Sequence, residues 1–279
     1  MLIDAHVHFW QPGRHDCTWP TPYLAAIHRD FMPDDWRQAA ASTPLATVVA
    51  VQSQPSDRDT AWLLELARDD ARIAGVVGWT DLAARDAPER IAVLATQPKL
   101  RGIRPMLQDL PDDDWVLRAE LAPAVETMIA HGLCFDALVK PRHLPHLLRF
   151  AERHPGLPIV IDHAAKPDIA KGVMEPWRRN IAVLAELPNV HCKLSGLLTE
   201  ASDDWHTRDL SPWVDHLLAC FGPRRLLWGS DWPVLNLASD YRHWFELAGT
   251  LLRLDGGDRD AVMGGNAASF YAIDAGGAA

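Results

Sequence analysis

Short apolar runs alternate with longer stretches of helical periodicity along almost the whole chain. The pattern starts at once. Ile3, Ala5 and Val7 alternate with Asp4, His6 and His8, which predicts a strand over Leu2–Trp10 with one polar face. An irregular segment rich in Pro and Trp follows from Gln11 to about Pro33, a length that in compact domains usually belongs to a binding loop or lid. A helical pattern appears near Asp34–Ala41, and Ala46–Gln52 reads as a buried strand. Ser56 then caps a helix whose stripe is Trp62, Leu63, Leu66 and Ala67.

The same alternation runs on. Strands are predicted at Ile73–Trp79, Arg101–Arg104, Leu133–Val139, Pro158–His163, Val190–Leu194 and Arg225–Gly229. The helices between them fall at Pro88–Ala95, Asp114–Ala130, Arg142–Arg153, Glu175–Glu186 and Leu210–Cys220, with two more near Ser239–Leu252 and Asp258–Met263. Strands read as continuous apolar runs when helices cover both faces of a parallel sheet. Eight βα units in 279 residues predict an α/β fold, a (β/α)8 TIM barrel forming one domain over residues 1–279. The rival open doubly wound sheet wants a Gly-rich phosphate turn after an early strand, and the sequence has none.

Composition removes several function classes. A net charge of −10 opposes general nucleic-acid binding, which needs a basic footprint. No apolar run approaches membrane-spanning length, so no membrane partner is expected. The four cysteines are scattered with no Cys-x-x-Cys, and no signal peptide is apparent ahead of Ile3, which predicts reduced thiols and a cytoplasmic protein. Cys134 and Cys192 fall in apolar strands and are expected in the core. Twelve tryptophans exceed ordinary packing needs, and Trp10, Trp19 and Trp232 stand where they can wall a pocket or stack on a sugar ring.

In a (β/α)8 barrel the C-terminal ends of the strands converge on one mouth. Those positions form a dense polar set. They are His6 and His8, Gln52, Arg104, Asp136 and Lys140, His163 and Lys166, Lys193 and Ser195, and Ser230 with Asp231. So many ionisable groups at one barrel end need partners or a ligand.

Three segments carry a family resemblance: Ile3-Asp4-Ala5-His6-Val7-His8, Ile161-Asp162-His163-Ala164-Ala165-Lys166-Pro167 and Trp228-Gly229-Ser230-Asp231-Trp232-Pro233. They resemble strands one, six and eight of the amidohydrolase superfamily, and the closing Asn266–Tyr271 segment extends the likeness over essentially the whole chain. His8-Phe9-Trp10-Gln11-Pro12 with Trp19-Pro20 is similar to its sugar-lactone hydrolase branch, the L-fuconolactone hydrolases in particular. One departure is informative. Two-metal members carry a bridging Lys or Glu on strand four and a His on strand five, where this chain has Arg104 and Asp136 or Lys140. The resemblance therefore implies no strictly required cofactor, or one divalent metal, zinc being the expected ion, held by His6, His8, His163 and Asp231.

The roles expected follow from the chemistry. Asp231 takes a proton from the attacking water and returns it to the departing alkoxide. His6, His8 and His163 polarise the carbonyl directly or through an ion. Arg104, Lys193, Gln52, Lys166, Trp10 and Trp232 are the expected substrate contacts, although Arg104 and Lys193 can instead pair with Asp136 or Asp231. A serine nucleophile is set aside, because Gly229-Ser230-Asp231 is not a G-x-S-x-G elbow. The partner expected is a small-molecule sugar lactone, with association into a homo-oligomer left open. Two alternatives share the fold: a hydrolase of pyrone-dicarboxylate or muconolactone substrates, which needs several pocket arginines, and a metal-dependent decarboxylase.

Overall fold

A computed structural model describes residues 2–44 and 47–274 of the chain. Its eight strands are β1 (Ile3–Val7), β2 (Thr47–Val51), β3 (Ile73–Gly78), β4 (Leu100–Ile103), β5 (Cys134–Ala137), β6 (Ile159–Ile161), β7 (Val190–Leu194) and β8 (Leu226–Trp228). They pair in parallel in sequence order. The ring closes through the segment after β8: Trp232 accepts from the backbone of His8 at 2.7 Å, and Asp231 donates to the carbonyl of His6 at 2.9 Å. The predicted (β/α)8 barrel is the fold observed. Ala46, the expected first residue of the second strand, and the chain's last residues, 275–279, lie outside the described residues.

The helices are α1 (Pro33–Ala39), α2 (Asp57–Asp69), α3 (Ala87–Ala95), α4 (Ala122–Ala130), α5 (Leu144–Arg153), α6 (Trp177–Leu184), α7 (Thr207–Phe221), α8 (Tyr241–Leu252), α9 (Gly256–Asp260) and α10 (Asn266–Phe270). Ser56 caps α2 as expected, accepting from the amides of Arg58 and Asp59. The helix expected over Asp114–Ala130 is broken. Arg118 is extended, so single 3-10 turns precede α4, which begins afresh with Pro123 in its first turn.

Two apolar layers hold the barrel. The outer faces of the strands pack on the helices in one large core. Inside, Ile3, Ala5, Val49, Val51, Cys134, Val160 and Leu227 fill the lower barrel, and Ala267, Tyr271 and Ile273 from the chain's end plug its floor. Cys134 and Cys192 are buried as expected.

The first strand does not keep strict period two. Its pairing with β2 slips by one residue between Asp4 and Val7, a bulge. Ile3 and Ala5 face the barrel interior and Asp4 turns outward, where it accepts from Tyr241 of α8 at 2.6 Å; after the slip His6 faces inward as well. The single polar face expected for Asp4, His6 and His8 is corrected: the two histidines point into the barrel and the aspartate does not.

Candidate active site

Four side chains meet at the C-terminal mouth. His6 Nε2 lies 3.1 Å from His8 Nε2 and 3.8 Å from Asp231 Oδ1. His8 Nε2 is 3.4 Å and His163 Nε2 3.8 Å from the same oxygen. All four are at least 96 % buried, with only edges of His8, His163 and Asp231 reaching solvent. Each is aimed by its other end. His8 Nδ1 donates to the carbonyl of Val51 at 2.8 Å, and His163 Nδ1 shares a 2.9 Å hydrogen bond with Ser195 Oγ.

Backbone strain places two of the four. His163, Ala164, Ala165 and Lys166 all occupy the left-handed region, at φ between 51° and 62°, and Asp231 does so at 59°. Each non-glycine residue there costs roughly 1–2 kcal/mol. The turn is held because Lys166 donates to the His163 carbonyl at 2.8 Å and Trp177 Nε1 to that of Ala164 at 2.7 Å. Nothing in the periodicity of the sequence foretells this turn.

Burial sets the protonation states. It pushes His163 down to about 4 and lowers His8 and, most strongly, His6, so all three imidazoles are neutral at pH 7. For Asp231 burial raises the pKa, but His163, His8 and His6, which face it, outweigh that and hold the carboxyl well below its usual range. The ionised Oδ1 is buried without a hydrogen-bond partner.

That orphaned oxygen and the three Nε2 atoms also suit a cation. A tetrahedral zinc ion bound at about 2.0–2.1 Å spaces its ligands roughly 3.4 Å apart, close to the separations seen here. Ligating atoms of His6, His163 and Asp231 fall within 4.8 Å of one another. The donor set fits one divalent ion.

Beneath the mouth lies a second, wholly buried layer of charge. Lys193 Nζ donates to Asp136 Oδ2 at 2.6 Å, approaches Asp162 Oδ1 at 3.0 Å and reaches His6 Nδ1 at 3.0 Å. Arg104 Nη1 donates to Asp162 Oδ2 at 3.3 Å, and its other arm holds the Gln52 carbonyl. Tyr271 donates to Asp136 at 2.7 Å. Lys193 has no exposed surface and takes the alternative expected for it, pairing with Asp136, and with Asp162, under the histidines. Gln52 is likewise sealed, donating to the Arg104 carbonyl at 2.8 Å. Trp10 is fully buried, its Nε1 spent on the carbonyls of Arg29 and Ile27, and Trp232 is packed between Phe9 and Phe31. Both walls lie under the loop and cannot stack on a ligand in this structure.

Of the expected contacts, Lys166 stands at the surface, a quarter exposed and 3.6 Å from Glu200. The pair lines a cavity of about 700 Å³ with Lys140, Arg142 and Trp177. Ser195 stands among the polar strand ends expected at the mouth, though with no role assigned to it, whereas Asp162 and Glu200 were not among the expected site residues. Asp162 is findable as the inward residue following strand six; Glu200 carries no signal until the β6 and β7 loops are placed side by side.

A barrel mouth that surrounds one ionised carboxylate with neutral imidazoles can activate water and polarise a carbonyl, the work of a hydrolase. The chain belongs to the amidohydrolase family, whose model matches residues 3–273. It is 52% identical over 277 residues to an L-fucono-1,5-lactonase of Burkholderia ambifaria, covering 98% of this chain and 96% of that one. It is 40% identical to an L-fucono-1,5-lactonase of Burkholderia multivorans, at 98% and 96% coverage. A crystal structure of an amidohydrolase from B. multivorans with bound zinc superposes with a TM-score of 0.93 at 39% identity, covering 98% of this chain and 100% of that one. Among the described residues no helix is long and apolar enough to cross a membrane.

Proposed function

We propose that the chain hydrolyses a sugar-acid lactone to its aldonate, with L-fucono-1,5-lactone or a close stereochemical relative as substrate. The observation that carries the chemistry is the ionised, unpartnered Oδ1 of Asp231 facing three neutral imidazoles. The identity of the two lactonase relatives supports the substrate class.

In this reading Asp231 Oδ1 accepts a proton from a water as its oxygen attacks the lactone carbonyl. The carbonyl oxygen becomes an oxyanion, stabilised by the imidazoles of His6 and His163, with His8 lining the same centre. Collapse breaks the bond to the ring oxygen, which leaves as an alkoxide and takes the proton back from Asp231. The products are one hydroxyl group and one carboxylic acid, which ionises at neutral pH. No covalent intermediate forms, because Ser195 lies on the Nδ1 side of His163, away from the reacting space, and serves to orient the ring. A divalent ion held by the histidines and Asp231 would add Lewis-acid polarisation of the carbonyl. Lys166 and Glu200 at the mouth are suited to hydroxyl groups of the sugar. The pyrone-dicarboxylate alternative wants bidentate arginines, yet Arg104, the arginine in the buried centre, is already engaged by Asp162 and the Gln52 carbonyl.

A pH-indicator assay in weak buffer tests the reading. L-Fucono-1,5-lactone and a panel of aldonolactones are offered before and after chelation and after zinc is restored. Accelerated proton release from at least one is expected. Acceleration of none, by either form, overturns the proposal.

A further inference from the structure

A chain of hydrogen bonds crosses the centre with an obligate donor at one end and an obligate acceptor at the other. At the acceptor end, the Val51 carbonyl lies 2.8 Å from His8 Nδ1. A carbonyl can only accept, so the His8 proton sits on Nδ1 and its Nε2 presents a lone pair. That Nε2 is 3.1 Å from His6 Nε2, so the shared bond requires the His6 proton on Nε2. At the donor end, Lys193 Nζ lies 3.0 Å from His6 Nδ1. An ammonium can only donate, so Nδ1 of His6 must accept, which again leaves its proton on Nε2. The two ends dictate the same polarity independently.

The competing arrangement would put the proton on His6 Nδ1 and aim it at Asp162. That contact is longer, 3.5 Å, and has its own rival, since Asp162 Oδ1 is 3.0 Å from Lys193. Lys193 is held in its charged form by Asp136 at 2.6 Å and Asp162, all three side chains having no exposed surface. An N–H on His6 Nδ1 would face an ammonium proton at 3.0 Å, head to head.

We propose that Lys193 is a positioning residue that fixes the tautomer of His6, keeping a proton on Nε2 where it faces the reaction centre. His6 is then a neutral N–H donor, whereas His8 contributes a lone pair. A carbonyl oxygen entering the centre can take the His6 N–H in place of His8 Nε2. A cation finds ready lone pairs at His8 and Asp231, but at His6 only after that proton has moved and the Lys193 contact has loosened. Lys193 therefore tilts the centre toward hydrogen-bond polarisation and weakens its hold on zinc. The use in catalysis rests on the hydrolytic reading above; the tautomer and the metal preference do not.

The test uses the full-length, metal-free chain labelled with 15N-histidine, with His6→Gln assigning the His6 signals. Long-range 1H–15N spectra at neutral pH should show His6 protonated on Nε2 and His8 on Nδ1. A His6 protonated on Nδ1 overturns the proposal, whether or not any lactone is turned over. The paired Lys193→Met and Asp136→Asn variant removes one charge of each sign and leaves Asp162 with Arg104. In it the His6 proton should move to Nδ1, toward Asp162, and zinc should bind about tenfold or more tightly by competition with a fluorescent chelator. An unchanged tautomer or unchanged zinc affinity in the folded pair would show that Lys193 does not set it. Should the pair not fold, Lys193→Arg, which keeps the donor and the charge, is read by the same spectrum and must retain the Nε2 proton.

Discussion

Gly196 lies against the imidazole of His163: a methyl group on its Cα would sit 2.7 Å from Nδ1, and its φ is +64°. The bare backbone lets the β7 loop pass over the ring while Ser195 bonds the same nitrogen. Gly196→Ala should cost about 1–2 kcal/mol in urea unfolding through the left-handed backbone. It should also lower kcat on the order of a hundredfold by displacing His163. An unchanged kcat would mean that the ring position is not critical.

Asp231→Asn keeps the shape of the side chain but removes the base. The far-UV spectrum should be unaltered, and kcat should fall roughly 10²–10⁴-fold. Retained turnover of the lactone would remove Asp231 from the chemistry.

Lys166→Ala should act on binding. Lys166 is partly exposed beside Glu200, so its loss should barely affect stability. Steady-state kinetics should show KM rising several-fold with kcat little altered. A proportionate loss in kcat would place Lys166 at the reacting atoms instead.

Tyr241→Phe tests the strut behind the first strand. Asp4 is fully buried and pushed up to about 6 by that burial, against hydrogen bonds from Ser230 and Tyr241. Removing the phenol leaves a buried carboxylate oxygen unsatisfied, at a cost of about 1–3 kcal/mol at pH 8. Below pH 6 the folded carboxyl takes up a proton, so the difference between wild type and variant should shrink. Urea titrations at pH 5 and 8 decide it; an equal loss at both would mean that Asp4 is not ionised.

His191 points into the lower barrel, where it meets Phe270. Burial, and then Arg225, pull it from 6.5 down to about 4. Between those values the unfolded chain binds a proton that the folded chain refuses, so stability is lost as pH falls from 6.5 to 4, by up to about 3 kcal/mol. His191→Phe should flatten that part of the stability profile. A profile parallel to wild type would assign the acid sensitivity elsewhere.

Much of this protein is legible in one dimension. The eight strands, the helices between them and the barrel follow from apolar spacing, because burial period is a local property of strand and helix. The same spacing points His6, His8, His163 and Asp231 to one end, since consecutive barrel strands all present their C-terminal ends to one mouth. The helix at Asp114 and the face of Asp4 depart from the spacing where a local break intervenes, an extended Arg118 and a one-residue bulge, neither of which alters average periodicity.

What the tertiary structure alone decided is who pairs with whom. Lys193 and Arg104 read equally well as ligand contacts or as ion-pair partners, and only the closed barrel brings Asp136 and Asp162 within reach of them. Trp10 and Trp232 read as sugar-stacking platforms until the loop after β1 folds back and spends them on packing. The sequence by itself determined the barrel and the side chains at its mouth, because these depend on neighbours two to four residues away. Partner choice among buried charges depends on distances across the barrel, between residues as remote as His6 and Lys193, and those exist only once the ring has closed.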